Sequence, residues 1–450
     1  MNYNRRSFIK TSATIGTGLA MTPFFSYGMS GQDKKVRIGF IGVGGRGRIH
    51  LQNILNRKDT LVPAICDIDP EALGKSKEML KKAGFAEAAV YNDSETAYLD
   101  LLSRSDIDGV IISTPWLWHT RMTVDAMKAG IYAGVEVSAA NTIEECWDLV
   151  NTHEATGVHA MILENVCYRR DVMAVLNMVR QDVFGEVLHT RCGYRHDLRS
   201  VKFKPGVEFG KGAAGEARWR TQHSMHRNAD LYPTHGAGPI ATMLDINRGN
   251  RFESLTSHAT KSRGLHNYIV NNPQGGEDHP HASIKWELGD VVTTQINTAK
   301  GETILVTHDT NLPRPYSLNF EVQGEKGIVD FDKHTRRIYI EGVSEHHTWE
   351  DMHDGWLEKY DHPLWKRYGE YAAGSGHGGM DFFVVHAFVE SVKREVAPPL
   401  DVYDAAAWSA ITPLSEQSLA EGNSLQYFPD FTRGQWIRRS PIFAMNGDLY

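Results

Sequence analysis

From Lys35 to Glu164 the chain alternates short apolar runs with amphipathic stretches. The runs at 36–41, 61–66, 109–113, 132–137 and 159–163 are predominantly hydrophobic and bounded by turn residues, the pattern of strands buried on both faces. Between them apolar positions recur at helical spacing near 48–56, 70–82, 94–102, 120–128 and 143–156. Such alternation predicts a doubly wound parallel sheet. The order changes after Tyr168. One helix over about 170–182 leads through Phe184-Gly185 into runs at 252–259, 282–298, 302–310, 317–332 and 337–340, read as a broad, mostly antiparallel sheet. Ser283, Lys285 and Glu287 alternate with Ile284 and Trp286, a period of two that places one sheet face in solvent or against a partner subunit. Helices near 239–246, 380–393 and 402–418 are expected on the other face, and the glycine-rich segment 374–379 reads as a rim loop.

The chain has 450 residues, 41% hydrophobic and 23% charged, with a net charge of -7, enough for two domains with sizeable cores. A mildly acidic chain gives no reason to expect nucleic acid or an anionic membrane as partner. Cys66, Cys146, Cys167 and Cys192 show neither C-x-x-C nor zinc spacing and are expected as buried thiols. His346-His347 and His279-x-His281 lie in polar segments without a ligand set, so no metal is expected. The first residues include Asn4-Arg5-Arg6-Ser7-Phe8-Ile9-Lys10, then a moderately apolar stretch to about Tyr27. That is a twin-arginine leader, an address and not an anchor. It predicts export of an already folded protein to the periplasm or beyond, and no later apolar run approaches the about 20 residues of a membrane helix.

Gly42-Val43-Gly44-Gly45-Arg46-Gly47 follows the first predicted strand and opens the first helix; Asp67 ends the next strand, 20 residues beyond Gly47. This is the context of a dinucleotide turn, with glycines for tight turning and close backbone approach and a helix N-terminus for pyrophosphate. Asp67 would bind the adenosine ribose and favour NAD over NADP, while Arg46 is a possible phosphate partner. Thr114-Pro115-Trp116-Leu117-Trp118-His119 follows the 109–113 strand on the ligand rim. Its tryptophans either wall a nicotinamide or pack a domain joint, and His119 reaches cofactor or helix. Glu136-Val137 and Asn165 end later strands on the same rim. The predicted organisation is a leader at 1–31, an NAD-binding Rossmann domain at 32–165 and an α+β domain at 166–450.

The glycine turn, the T-P-x-x-x-H stretch and Glu136 resemble the Gfo/Idh/MocA oxidoreductases. In that family the corresponding strand usually ends Glu-Lys-Pro, and the lysine helps take a hydroxyl proton; here Val137 stands in its place. Asp230 and His235 are one residue too far apart for the family's Asp-x-x-x-His pair. The segments 164–171, 193–199, 219–221, 232–236, 314–316, 376–381 and 399–404 resemble a narrower branch, glycoside hydrolase family 109, the NAD-dependent α-N-acetylgalactosaminidases. That resemblance implies that Gly42, Gly44, Gly45, Arg46, Asp67, Trp116, Leu117, Trp118, His119, Glu136, Val137 and Asn165 hold NAD. It implies that Tyr194, Arg220, Tyr232, Pro233, Thr234, His235 and Tyr316 line a sugar pocket, with Tyr232 and His235 sharing the proton transfers. The implied reaction is oxidation, elimination, water addition and reduction on the sugar, with NAD restored in each turnover. The expected substrate is a small molecule or glycan ending in N-acetylgalactosamine, and the broad sheet makes a homo-oligomer plausible. Two rival readings are an exported NAD-dependent sugar or polyol oxidoreductase and a saccharide-binding protein with structural NAD.

Overall fold

The computed structural model describes residues 35–203, 215–332 and 335–445, so the expected leader lies outside the described residues. Among them, one parallel sheet is built from β1 (Val36–Ile41), β2 (Thr60–Leu61), β3 (Ala64–Cys66), β4 (Ala89–Tyr91), β5 (Gly109–Ile112), β6 (Tyr132–Val135) and β7 (Ala160–Ile162). The order is β4-β3-β1-β5-β6-β7, with β2 beside β1. The chain winds outward from β1 to β4, returns to β5 and winds the other way. The reversal leaves a crevice between the carboxyl ends of β1 and β5, the usual ligand position in such a sheet.

Local chemistry accounts for these boundaries. The helix Pro70–Lys82 starts where the Asp69 carboxylate accepts the N–H groups of Glu71 and Ala72. The helix Ile143–Thr156 starts on the Thr142 hydroxyl and ends at Gly157, whose φ is 72°. Both match the expected spans. The 61–66 run divides in two at Pro63, which has no N–H for a ladder. The helix expected over 120–128 begins earlier, at Trp116 behind Pro115, so 116–119 form its first turn and not a loop.

The second sheet has the order β15-β14-β13-β12-β8-β11-β10-β9-β16. Its strands are β8 (Val187–Arg195), β9 (Phe252–Ala259), β10 (Val291–Thr298), β11 (Thr303–Asp309), β12 (Phe320–Gly324), β13 (Gly327–Phe331), β14 (Arg336–Ile340), β15 (Glu350–Asp351) and β16 (Gln426–Tyr427). Only the β8–β11 pair is parallel among these described strands. The chain is therefore α/β, with a parallel N-terminal sheet and a mostly antiparallel second one.

Three expectations for this half need correction. Residues 282–290 are not strand: Ile284 and Trp286 alternate because they pack on a satellite cluster with Phe203, Leu265 and Ile269. The 317–332 run is a hairpin, β12–β13, turning at Glu325-Lys326. The 402–418 run is two helices, Val402–Ser409 and Ile411–Ala420, since Pro413 has no N–H to offer the Ser409 carbonyl. All four cysteines are buried free thiols. No helix among the described residues is long and apolar enough to cross a membrane.

Two glycine contacts position the functional elements. A Cβ on Gly236 would lie 2.4 Å from the Gly193 nitrogen, so the helix Thr234–Met243 rests backbone to backbone on β8. A Cβ on Gly134 would lie 3.0 Å from the Phe388 ring, and one on Gly109 3.2 Å from it. The absence of side chains there lets the helix Met380–Arg394 pack on β5 and β6 and carries its N-terminal turn to the dinucleotide crevice.

Candidate active site

A cleft of about 1780 Å³ runs along the carboxyl rim of the first sheet and over β8. A pocket for one drug-sized ligand takes about 300–1,000 Å³, so this cleft has room for two. Its lining includes Gly42, Gly44, Gly45, Arg46, Asp67, Trp116, Trp118, His119, Glu136, Val137, Asn165, Tyr194, Arg220, Tyr232, His235 and Tyr316. Leu117, Pro233 and Thr234 do not line it. Leu117 is 66% exposed, and the other two are buried where the helix Thr234–Met243 begins.

The first wall suits a dinucleotide. Gly42 has φ +86°, and a Cβ there would strike the Ser113 backbone at 2.7 Å. On Gly47 a Cβ would lie 2.1 Å from the Gly42 oxygen. On Gly44 or Gly45 it would meet no protein atom within 4 Å, so the backbone at the start of the helix Gly45–Leu55 faces open cleft. That is the space a pyrophosphate needs. The Asp67 carboxylate accepts from the backbone N–H of Val43 and Asp69 at 2.8 and 2.9 Å. Burial raises its pKa against those two bonds.

Arg46 does not stand free for a 2′-phosphate. Its Nε donates to Glu136 Oε1 at 2.6 Å and a terminal nitrogen to Asp381 Oδ1 at 2.8 Å. His50, four residues on and therefore on the same helix face, meets the same Glu136 oxygen at 2.6 Å. Burial alone would raise the Glu136 carboxyl; Arg46 and His50 overcome it and hold the group well below the usual range. Asp381, fully buried, also accepts from Asn165 Nδ2 at 2.8 Å and pairs with His377 Nδ1 at 2.6 Å. The His119 ring nitrogens lie 2.7 Å from the carbonyls of Ser138 and of Thr114, which fastens the helix start to the rim.

The second wall is aromatic. Tyr232 stacks on Trp116 with ring centroids 5.5 Å apart and lies 4.8 Å from the His235 ring and 4.7 Å from Tyr194. The helix begins after Pro233, so Tyr232 and His235 converge despite the proline. An isolated bridge between Arg195 and Ser317 brings Tyr316 beside Tyr194, at 6.2 Å. The Arg220 guanidinium lies over Trp116 at 4.8 Å and Tyr232 at 5.0 Å and pairs with Glu216 at 2.6 Å. Burial pushes the Tyr194 phenol up to about 12 and raises the Tyr232 phenol well above its ordinary value, with Arg220 opposing both.

His235 Nδ1 lies 2.7 and 2.9 Å from the two oxygens of Glu164, a fully buried carboxylate behind it. That leaves Nε2 for the cleft. Glu164 opens the 164–171 motif, and the sequence assigns it no role of its own. Asp67, Glu136 and Glu164 each follow the carboxyl end of a strand on one sheet rim, β3, β6 and β7, a recurrence that could have singled it out. Nothing local in the sequence signals the pairing of Asp381 with Arg46.

Two family models match successive parts of the chain. Residues 36–163 match the model of the oxidoreductase family's NAD-binding Rossmann fold, and residues 168–438 that of the glycosyl hydrolase 109 C-terminal domain. An alpha-N-acetylgalactosaminidase of Tannerella forsythia is 50% identical over 99% of this chain and all of its own. A glycosyl hydrolase family 109 protein of Parabacteroides distasonis is also 50% identical, with the same coverage. Among solved structures, a levoglucosan dehydrogenase with NADH and levoglucosan superposes with a TM-score of 0.67 at 19% identity, over 88% of this chain and all of that one. That likeness shows the fold. The family models and the full-length relatives together establish that this chain belongs to glycosyl hydrolase family 109, a glycosidase built on an NAD-binding Rossmann fold.

Proposed function

We propose that this chain removes terminal α-linked N-acetylgalactosamine, using NAD that stays bound through each turnover, and that it works after export. The observation that carries the reading is the His235–Glu164 dyad, opening into the same cleft as the dinucleotide turn. The 50% identical relative named alpha-N-acetylgalactosaminidase supports the substrate. A bound nicotinamide supplies a reversible hydride acceptor. Gly44, Gly45, Arg46, Asp67, Glu136 and Asn165 would hold it, as the open space over the glycines and the surrounding carboxylates suit a dinucleotide.

The remaining chemistry belongs to the aromatic wall. Glu164 fixes one His235 nitrogen and with it the orientation of the ring, so Nε2 can take and return a proton at the sugar. Tyr194 and Tyr232 keep their protons at neutral pH and donate hydrogen bonds to sugar oxygens. Arg220 supplies fixed positive charge where an oxygen becomes negative. Among the described cleft residues the only lysine is Lys75, in the helix Pro70–Lys82 beyond Asp67. Val137 stands where the oxidoreductases usually place theirs, which favours proton handling by His235. Purified protein incubated with α- and β-linked N-acetylgalactosamine chromogens, without added cofactor, should release chromogen from the α-linked one and accumulate no NADH. Stoichiometric NADH in the medium would replace the hydrolase reading with an oxidoreductase one.

A further inference from the structure

The rim of the first sheet continues past the dinucleotide. In the order β4-β3-β1-β5-β6-β7, Asp67 follows β3 near one end, and Arg169 follows β7 at the other through the turn Asn165–Tyr168. Arg169 lines the cleft, and so does Arg336, the first residue of β14. Both donate to one oxygen of Asp171, Arg169 Nη2 at 2.7 Å and Arg336 Nε at 2.9 Å. The other oxygen accepts the Val172 N–H. Burial alone would raise this carboxyl; the two arginines overcome it and keep it charged. One negative charge therefore meets two guanidiniums, a local positive surplus in a chain whose net charge is -7. Among the described residues no further side-chain hydrogen bond is made by Arg169 Nε or Nη1, or by the two terminal nitrogens of Arg336. The Arg169 guanidinium also lies over the Phe331 ring at 5.2 Å, which fixes its place before any ligand arrives. Two other charges on this bank leave the surplus standing. Arg170 is matched by Asp361 at 2.7 and 3.1 Å, and Glu358, which lines the cleft, is exposed where water and salt screen it.

Tyr316 ties these arginines to the sugar wall. It lies 6.2 Å from Tyr194, and its phenol, raised by burial, feels Arg169 as the first opposing charge. Along the cleft the sequence of groups is thus the dinucleotide turn, the tyrosines with His235, then Arg169 and Arg336. We propose that Arg169 and Arg336 bind an acidic group, a carboxylate or a sulfate, on the unit to which the terminal sugar is joined, and that Asp171 is their positioning residue. The inference rests on the reading above and adds to it the class of glycan that is cut best. Guanidinium forks match planar and tetrahedral oxyanions, and an anion here would meet the charge that Asp171 leaves unbalanced. A neutral sugar unit can accept the same N–H groups, but it leaves the surplus in place.

The test uses the full chain and two disaccharides, N-acetylgalactosamine α-linked to O3 of galactose or to O3 of galacturonate. The readout is the ratio of their kcat/KM values, so a general loss of activity does not count. Wild type should favour the galacturonate by about ten- to a hundredfold, the worth of a charged hydrogen bond, and salt should shrink that preference. Arg336→Gln and Arg169→Gln should each bring the ratio close to one, while Arg336→Lys, which keeps the charge and loses the fork, should retain part of it. A merely structural role would slow both substrates alike and leave the ratio where it was. If Arg169→Gln fails to fold, Arg336→Gln still decides, because Asp171 keeps its bond to Arg169. Equal rates in wild type overturn the inference, as does a preference that survives Arg336→Gln. A preference confined to a glycoside whose N-acetylgalactosamine carries a 6-sulfate would put the acid on the terminal sugar and overturn the assignment to the next unit. Release of no sugar from either disaccharide or from the chromogens overturns the N-acetylgalactosaminidase reading itself, a result distinct from equal rates.

Discussion

The two walls of the cleft solve different problems with different materials. The dinucleotide wall is a closed set of charged and hydrogen-bonded groups: Arg46 between Glu136 and Asp381, with His50 and His377 at the ends. Arg46 keeps its proton and holds both carboxylates in their charged form. The sugar wall is mostly rings, Trp116, Tyr194, Tyr232 and Tyr316, with the His235 imidazole backed by the Glu164 carboxylate and His196 beside Tyr194. Its groups keep protons and can move them. The contrast suits a cofactor that is to be held beside a sugar that is to be changed, each wall failing at its other task.

The sharpest way to break that contrast is to remove the imidazole. His235→Ala should lower turnover by about 10²–10⁴-fold, the worth of a positioned acid–base group, while bound NAD stays at the wild-type level. Near-normal turnover would take His235 out of the chemistry. Glu164→Gln should lose less, since it alters only the partner of Nδ1.

Next come two glycines, one in each wall. On Gly236 a Cβ would drive into the Gly193 backbone, so Gly236→Ala should cost about 1–3 kcal/mol of stability and displace His235 from Tyr194, with turnover falling too. On Gly44 a Cβ meets no protein atom, so Gly44→Ala should leave the melting temperature of the nucleotide-free protein unchanged yet lower bound NAD. Melting curves and nucleotide counts on both variants give a crossed pattern. A Gly44→Ala protein that keeps its full complement would show that the open space is not where the dinucleotide lies.

The same division governs how much could be read from the sequence. β1, β5 and the helices Pro70–Lys82 and Ile143–Thr156 were legible because apolar runs and capping residues are local signals. The glycine turn and Asp67 were legible for the same reason. β8, which carries Tyr194, was not among the expected strands. Its open face is polar, with Arg191 paired to Glu321 on β12 and Asp330 on β13, so no run of apolar residues marks it. Residues 282–290 misled in the opposite way, by a period of two that serves a satellite cluster. Within the site, Glu164 meets His235 across 71 residues and Asp381 meets Arg46 across 335. Pairings at that range follow from how the second sheet and the helix Met380–Arg394 close on the first, and spacing along one chain carries no trace of them.

A smaller effect tests the phenols. Tyr194→Phe removes a hydroxyl 3.0 Å from His196 Nδ1. Loss of one neutral hydrogen bond is worth about 0.5–1.5 kcal/mol, so turnover should fall about two- to tenfold with NAD content unchanged. A fall of three orders of magnitude would make Tyr194, and not His235, the main proton carrier.

The gentlest probe is pH, and it separates the walls by sign. Glu136 is held below its ordinary 4.5, so its stabilising contribution is complete above that pH and drains away as pH falls through and below it. Burial lowers His50 from 6.5, so in acid the unfolded chain takes up a proton that the folded one refuses; this too weakens the fold, starting below about pH 6.5. Tyr194 runs the other way. Its phenol rises from 10 to about 12, so above pH 10 the unfolded chain ionises first and stability falls toward 12. The dinucleotide wall should therefore set the acid limb of a melting profile and the aromatic wall should steepen the alkaline one. Glu136→Gln should flatten the acid limb alone and Tyr194→Phe the alkaline limb alone. If Glu136→Gln melts with the wild-type acid slope, the ion pairs on that wall are not what acid undoes, and the contrast between the walls loses its electrostatic basis.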